Sequence, residues 1–595
     1  MNIRRNSLLL VVTTFALLHS ISAQQVEAQD QVAQNLITRE TVSAPAVSTP
    51  LKSVLDRPLL ARIGVQTAQP LPLSLNDAIR KALENNNTIE ITRDDVRFQE
   101  TQIRSILGFY DPTFNVTPTY TRNSTTGNRA TNDFTIGTDM THFVRPGGGN
   151  YQVFFNNRRT ENAFAQAQVS SGSVSGSTSA IYSSSWGVTY TQPLFRNRKI
   201  DNTRRNLKIA RRRLEQTDAD FRRQTIDIIA QVQRTYWDLV FALRDQQNRQ
   251  ANLDLSKENL RQIEARIAAG ASAPLARAEV ETELATREAD VLLATQQVSI
   301  TENSLKQMLL RDATSVDWSS TYVPTDTPVF SLDSINLENA IKDAMDNRWE
   351  LRRLKLATDI NTIDIAYFKD QTRPRIDLNT TFSLDGLSRG GASTNSTFVD
   401  QFTGNDEILR TKLNTLLLPA DQIQPRTIEI PGTPSFLVGG FNRSIANTFR
   451  SDAPNYSVGV TISFPFRNRT AKANLAGAEV TKHQIETQMR AQEQVVIVEV
   501  RNAVQAVETS RQRVLAARRA RENAEIQLDG ERKLFDAGKS TTFLLFQREN
   551  ALTNARNSEI RAETDYNKAL ADLQRSTSTT LQMNNIEVDS PKDDK

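Results

Sequence analysis

The residue types that carry out enzyme chemistry are scarce in this chain, and none recurs at a catalytic spacing. Its 595 residues include no cysteine and three histidines, which excludes disulfides and thiolate metal sites and leaves little scope for a histidine-rich metal site. The sequence has no G-x-S-x-G, no H-E-x-x-H and no glycine-rich phosphate loop. It therefore predicts no catalytic residue, no metal and no cofactor, and it does not favour an enzyme.

Small residues at two turns indicate an internal repeat instead. When Gly270 is aligned with Gly538, at an offset of 268 residues, Val232 also falls on Val500. Each turn joins two long helical segments, so two similar halves are expected. The predicted helical hairpins cover 198–310 and 469–575, within repeats over 71–330 and 331–580.

The helices that carry these turns are unusually long. Residues 202–268 include neither proline nor glycine, and at about 1.5 Å per residue they predict a helix of roughly 100 Å. The inward positions form a narrow seam rich in alanine and threonine, which is typical of a coiled coil. Because so thin a stripe cannot bury these helices within one copy, the sequence predicts an oligomer.

Four segments alternate apolar and polar residues with the period of a β-strand. They cover 112–121, 184–194, 372–385 and 455–466. Their polar positions are almost wholly Ser, Thr, Asn and Gly, as suits a wet barrel interior, although a soluble antiparallel sheet would show the same period. Four strands cannot close a membrane barrel, since such barrels start at about eight. Several copies must then share one barrel, and three copies would supply twelve strands.

Each second strand enters its long helix through a similar junction, QPLFRNR in the first half and FPFRNR in the second. Pro193 and Pro465 end the strand ladders because proline lacks an N–H. Arg196 and Arg467 follow them, and could lie at the polar boundary of a membrane. Turn chemistry alone explains the proline and asparagine equally well.

Other segments connect or precede these elements. Shorter helices are predicted over 74–107 and 336–370. The insert 122–181 includes an alternating segment around Phe134, Ile136 and Met140 and a Gly147–Gly149 turn, compatible with an extra hairpin, whereas the insert 386–450 is expected to be an exposed loop.

The two ends of the chain carry different predictions. Arg4 and Arg5, an apolar run and small residues near Ala23 predict a secretory signal peptide over 1–23, with cleavage after Ala23 or Ala28. No later segment has the ~20 apolar residues of a membrane helix. Flexible segments are expected over 24–70 and 581–595. The small net charge of +4 does not indicate binding to nucleic acid.

Over nearly its whole mature length the chain resembles the TolC-like outer membrane efflux proteins, or outer membrane factors. The resemblance rests on the openings LSLNDAIRKALENN and INLENAIKDAMDN, the two junctions, and the tip FDAGKSTTFLLFQRENAL. It implies an α+β fold with two repeats per chain, in which a homotrimer forms a 12-strand β-barrel in the outer membrane. A long α-helical coiled-coil barrel would continue from it into the periplasm of a Gram-negative-type cell.

The resemblance also implies that the helix tips dock on a periplasmic adaptor, which links them to an inner-membrane transporter. In this chain, the docking residues would be those of the two turns: Gly270, Ala271, Ser272, Gly538, Lys539 and Ser540.

In the family, acidic residues six and nine positions after the second tip glycine close the periplasmic mouth. This chain has Leu544 and Gln547 there, and Ala276 and Glu279 in the first half. We therefore expect an apolar and amide constriction, with Phe543 and Leu544 as its apolar part. The alternative is that these side chains only pack the tip.

The function that the resemblance implies is passive conduction through an outer-membrane exit duct of a tripartite efflux or type I secretion system. The alternative is a non-conducting coiled-coil spacer or adhesin of the cell envelope. The four alternating strands favour the duct, because a spacer does not need a lumen lined by Ser and Thr.

Overall fold

The computed structural model describes residues 62–588, apart from 64, 125, 127–129, 162–179, 271–272 and 391–393. The predicted signal peptide lies outside the described residues, as do residues 24–61 of the predicted leader. The strands are β1 Gln66–Leu73, β2 Thr113–Asn123, β3 Thr131–Phe143, β4 Asn150–Glu161, β5 Ala180–Pro193, β6 Ser320–Pro324, β7 Arg375–Arg389, β8 Thr397–Asp400, β9 Thr427–Ile430 and β10 Pro454–Ser463. The helices are α1 Leu75–Asn85, α2 Asn87–Leu107, α3 Asn202–Ala268, α4 Leu275–Leu309, α5 Leu337–Asn347, α6 Trp349–Gln371, α7 Asn405–Asn414, α8 Phe441–Thr448, α9 Arg469–Asp536, α10 Thr542–Thr577 and α11 Thr580–Met583.

The long helices form two hairpins, α3 with α4 and α9 with α10. α3 has 67 residues and α9 has 68. Shorter helices pack beside them, α2 on α3, and α6 on both α3 and α9. The break between α1 and α2 occurs at Asn86, whose side chain accepts from the backbone N–H of Thr88 at 3.0 Å and caps the new helix.

The main core lies at the middle of α3. Ile229, Val232 and Leu239 pack there against Ile79 of α1 and Leu305 of α4. A smaller cluster joins α9 and α10 through residues such as Val507, Val514, Ala562 and Tyr566. Away from these clusters, fewer apolar side chains of the long helices are buried. No helix among the described residues carries an apolar stretch long enough to cross a membrane.

Six of the described strands form one antiparallel sheet, in the order β10-β7-β5-β4-β3-β2. The prediction of four strands per chain is therefore wrong, and the twelve strands expected of a trimer rested on that count. The two additional strands come from the insert 122–181: the segment around Ile136 and Met140 forms β3, and the Gly147–Gly149 turn leads to β4. The insert was compatible with an extra hairpin, which the structure confirms. Its second strand, β4, carries no clear strand pattern of its own because Phe154-Phe155 and Arg158-Arg159 interrupt the alternation.

The insert 386–450 is not wholly an exposed loop, because α8 packs on β5 and β7. Ser444 Oγ donates to Ser184 Oγ at 2.7 Å, and both hydroxyls are buried. The ring of Phe441 meets that of Tyr182 edge-on, with centroids 4.8 Å apart. The helix approaches most closely at Gly386, where a Cβ would overlap the carbonyl oxygen of Ser444.

Both predicted flexible ends are partly ordered. Residues 66–73, which begin within the predicted leader, form β1 and pair in parallel with β6. At the other end, Leu581 and Ile586 pack against the main core, and Val588 packs against the cluster that includes Ile89. These apolar side chains lose contact with water, which the largely polar composition around them did not indicate.

A glycine substitution tests how α8 is held. We expect Gly386→Ala to destabilise the protein by about 1–3 kcal/mol, because the added methyl group must push α8 away from the sheet. The measurement is the urea midpoint together with the rate of protease cleavage within 394–450.

Gly459→Ala is the matched control, because a Cβ at Gly459 of β10 meets open space. The packing of α8 would be contradicted if the two variants had the same midpoint and the same cleavage rate.

Candidate functional site at the hairpin tips

Both hairpins turn at a glycine with left-handed backbone geometry. The φ angle is +73° at Gly270 and +68° at Gly538, a region that L-residues with side chains rarely adopt. At the second turn, the N–H of Gly538 donates to Phe535 O at 3.0 Å and that of Lys539 to Leu534 O at 2.9 Å. These two bonds are the Schellman pattern that ends a helix, so the chain reverses within a few residues.

The turn residues predicted to dock an adaptor differ in exposure. Gly270, Gly538 and Lys539 are exposed, and no atom lies within 4 Å of a Cβ built on either glycine. Ser540 is half-buried, and its hydroxyl donates to the carboxylate of Glu531. Ala271 and Ser272 lie outside the described residues.

The candidate constriction residues begin the two returning helices, α4 and α10. Phe543 is 69% exposed and Leu544 38% exposed, and the side chains of Gln547 and Glu279 are also exposed. Ala276 is half-buried and packs near Ile263. Four of the five side chains thus remain accessible in one copy of the chain, and Ala276 packs within the tip.

Beneath these exposed residues, apolar side chains join the two hairpins. Phe546 of α10 is buried against Ile263 of α3 and Val280 of α4. Phe535 contacts the same cluster, and the guanidinium of Arg266 lies 4.7 Å from the centre of its ring. The contact between hairpins holds both turns at one end. The sequence does not single out Phe546, because it ends the continuous apolar run 543–546, which has no period to separate buried from exposed positions.

A carboxyl group is buried directly behind this cluster. Glu549 of α10 lines a cavity of about 330 Å³ together with Asn259, Arg532 and Phe546. Asn259 Nδ2 donates to its Oε2 at 3.3 Å, and Arg532 Nη2 lies 3.5 Å from its Oε1. Burial raises the pKa of the Glu549 carboxyl above its ordinary value, and the charges of Arg532 and Arg287 only partly oppose that rise.

At the opposite end of the long helices, the strand–helix junctions are shaped chiefly by asparagines. β5 ends at Pro193, and Pro465 follows the end of β10. Arg196 is half-buried and Arg467 is exposed. The backbone turns at Asn197 and Asn468, where φ is +66° and +42°.

The two junction asparagines converge on the end of α6. The N–H of Asn197 donates to Asp370 Oδ2 at 2.7 Å, and Gln371 Nε2 donates to Asn197 Oδ1 at 2.8 Å. Asn468 Nδ2 donates to Gln371 O at 3.2 Å. The repeated R-N-R motif was the sequence feature that could have predicted these turns, because asparagine tolerates left-handed backbone geometry better than most residues. Among the described residues, no group of three or more His, Asp or Glu is placed to hold a metal ion.

A buried carboxyl with a raised pKa makes stability depend on pH. The folded state binds the Glu549 proton more tightly than the unfolded state, so stability falls as pH rises above about 4.5, the ordinary value for glutamate. We expect Glu549→Gln to stabilise the protein at pH 7.5 by on the order of 1 kcal/mol. Thermal unfolding at several pH values measures this difference, which should vanish below that ordinary value.

Glu522→Gln serves as the control, because the Glu522 side chain is 64% exposed on α9. Equal melting temperatures for the Glu549→Gln and Glu522→Gln variants at pH 7.5 would contradict the assignment.

A family model and solved structures place this geometry among known proteins. The model for outer membrane efflux proteins matches residues 162–309 and 433–579, once in each half of the chain. No curated protein sequence matches the chain.

Several solved structures share the fold at low sequence identity. CusC, whose crystal structures describe transmembrane channel formation, is 14% identical with a TM-score of 0.56, covering 90% of this chain and 98% of CusC. The CmeC outer membrane channel of Campylobacter jejuni is 12% identical with a TM-score of 0.54, covering 92% and 98% of the two chains. The open-state MtrE outer membrane channel of Neisseria gonorrhoeae is 15% identical with a TM-score of 0.54, covering 91% and 98%.

The family match recurs in both halves, and each match includes a long hairpin helix whose strand junction and tip turn are built alike. The chain belongs to the outer membrane efflux protein family.

Proposed function

We propose that the protein is the outer-membrane exit duct of a tripartite efflux or type I secretion system, working as a homotrimer. The observation that carries this proposal is a two-faced sheet that continues directly into helices of 67 and 68 residues. Substrates would pass from a periplasmic adaptor and its inner-membrane transporter, along the helices and through the sheet, to the exterior. The duct itself performs no chemistry.

The two faces of the sheet have the chemistry that a membrane wall requires. Val188, Phe382 and Tyr456 are register partners on one face of β5, β7 and β10. On the other face the neighbouring partners are Thr189 and Thr381, whose hydroxyls lie 3.3 Å apart. An apolar face suits lipid, and a face of small hydroxyls suits water.

Two features indicate that several copies assemble: the unpaired edge strands of the sheet and the exposed apolar side chains of the long helices. Among the described residues β2 pairs only with β3, and β10 only with β7, and open edges are not viable in lipid. Six strands are also fewer than the eight of the smallest membrane barrels. Large apolar side chains remain exposed on the long helices, among them Leu292, Leu293 and Ile526, which neighbouring copies would cover.

The tips provide a site for the adaptor and for a constriction. Gly270, Gly538 and Lys539 present open backbone and one positive charge at the end of the hairpins. Phe543, Leu544 and Gln547 follow them as exposed residues of α10, and symmetry would bring three copies of each around one axis. We place the gate there, built from apolar and amide groups rather than from an acidic ring.

Conductance separates the duct from a non-conducting spacer. We expect the purified protein to form stable channels in a planar lipid bilayer, because its polar sheet face would enclose water. The same recordings test the gate: Leu544→Asp and Gln547→Asp should each increase block by divalent cations several-fold, since each adds three carboxylates to the constriction.

Gln484→Asp, which adds a carboxylate at an exposed position far along α9 from the tip, is the control and should leave the block unchanged. Absence of channels would overturn the duct. Channels whose block is the same in all three variants would overturn only the position of the gate.

Substitution of the second turn glycine tests adaptor docking. Gly538→Arg places a bulky charge at the outermost point of the tip, at a φ angle that arginine rarely adopts. We expect the trimer to form while in-cell crosslinking to the adaptor falls at least several-fold.

Gly530→Arg is the matched control, because Gly530 also meets open space but lies within α9. If Gly538→Arg kept the crosslinks of the Gly530→Arg variant, the docking site would lie elsewhere.

A further inference from the structure

The hairpin of β3 and β4 lies within the sheet rather than beside it. β3 pairs with β2 along the whole of β2, from Thr113 opposite Thr141 to Asn123 opposite Thr131. β4 pairs in turn with β5, from Asn150 opposite Thr191 to Glu161 opposite Ala180. Among the described residues, β2 therefore has no pairing with β5, the second strand of its own half.

Two adjacent rows of register partners cross all six strands without a change of character. One row is apolar throughout, and its members are Phe114, Met140, Val153, Val188, Phe382 and Tyr456. The adjacent row is polar throughout, and its members are Thr113, Thr141, Gln152, Thr189, Thr381 and Ser457. The hairpin thus continues both the apolar and the polar face of the other four strands. A hairpin with water on both sides would not need one apolar face and one polar face.

The turn of the hairpin is fixed against the first strand–helix junction. Gln192 Nε2 donates to Gly147 O at 3.0 Å. A Cβ at Gly148, where φ is +69°, would overlap the guanidinium of Arg204 and the carbonyl oxygen of Asn197. Only glycine fits so tight an approach. The hairpin is therefore held at the helical end of the sheet, and its strands run the full height of the wall.

The length of the added strands also suits a membrane wall. β3 has 13 residues and β4 has 12, and a tilted membrane strand needs about 9–11. Neighbouring strands of the sheet are antiparallel throughout. With an even number of strands, β2 and β10 run in opposite directions. The β10 edge of one copy can therefore continue the antiparallel pattern with the β2 edge of the next, and such head-to-tail contacts close into a ring.

We propose that the β3–β4 hairpin is part of the membrane wall, so that three copies close a barrel of eighteen strands rather than twelve. This rests on the proposed trimeric duct. Barrel diameter grows roughly linearly with strand number, so the membrane section would be roughly 1.5 times as wide as a twelve-strand one. The membrane section of this duct then admits bulkier solutes than a twelve-strand barrel on the same helices would.

Single-cysteine variants test the proposal, because the chain has no cysteine of its own. Met140→Cys and Thr141→Cys probe the two faces of β3, and Val188→Cys and Thr189→Cys probe the same two rows in β5. Each full-length variant is labelled with a fluorophore and reconstituted in phosphatidylcholine vesicles. Quenching is measured with brominated phosphatidylcholine in the bilayer and with iodide in the water.

We expect brominated lipid to quench probes at positions 140 and 188 several-fold more than probes at 141 and 189, and iodide to show the reverse order. If the β5 pair alternates and the β3 pair does not, the hairpin lies outside the wall, and the eighteen-strand barrel is overturned while the duct stands. If the β5 pair fails to alternate, the membrane barrel itself is overturned, and the proposal with it. Electron cryomicroscopy of the trimer gives an independent count, and twelve strands around the axis would refute the proposal.

Discussion

Backbone hydrogen bonding at the two edges of the sheet constrains the rest of this molecule. β2 and β10 each pair on one side only within the described chain, and side chains are exposed along the whole of both strands. An unpaired row of N–H and C=O groups costs little in water but cannot persist in lipid. A sheet with one apolar face is therefore incomplete as a single copy, and its edges determine how other copies must be arranged.

The long helices are also incomplete in a single copy, because part of their apolar surface stays exposed. Their seams are narrow and rich in small residues, so that one neighbour buries only part of each helix. Polar pairs between the hairpins complement this thin core: Asn248 Nδ2 of α3 donates to Asn557 Oδ1 of α10, and Asn557 Nδ2 donates to Asp245 Oδ1, both at 2.5 Å. These groups are half-buried. Their hydrogen bonds match the present register of the two hairpins, and a sliding of one hairpin along the other by a turn would break them.

Much of this architecture could be predicted from local patterns. The helix over 202–268 is apparent because nothing in it interrupts a helix, and the turns at Gly270 and Gly538 because glycine alone adopts their geometry without strain. The features that local patterns do not predict are those that depend on contacts with residues far away in the sequence. β4 has consecutive phenylalanines, and Phe154 is tolerated on the polar face because its ring lies over Gly187 of β5, where a Cβ would collide with it. Glu549 likewise has the spacing of an ordinary surface glutamate, and only the approach of α3 and α9 removes it from water.

Local sequence was enough to predict the long helices, the repeated turns and junctions, and the alternation of the outer strands, because each depends on residues close together in the chain. The folded structure was needed to show that the β3–β4 hairpin lies between β2 and β5, that α8 packs on the sheet, and that Phe546 and Glu549 lie between the long hairpins. Those outcomes depend on contacts between residues far apart in sequence. The spacing of apolar residues along a segment can indicate a strand or a helix. Which residues are buried, and which strands pair with each other, depends on the whole fold.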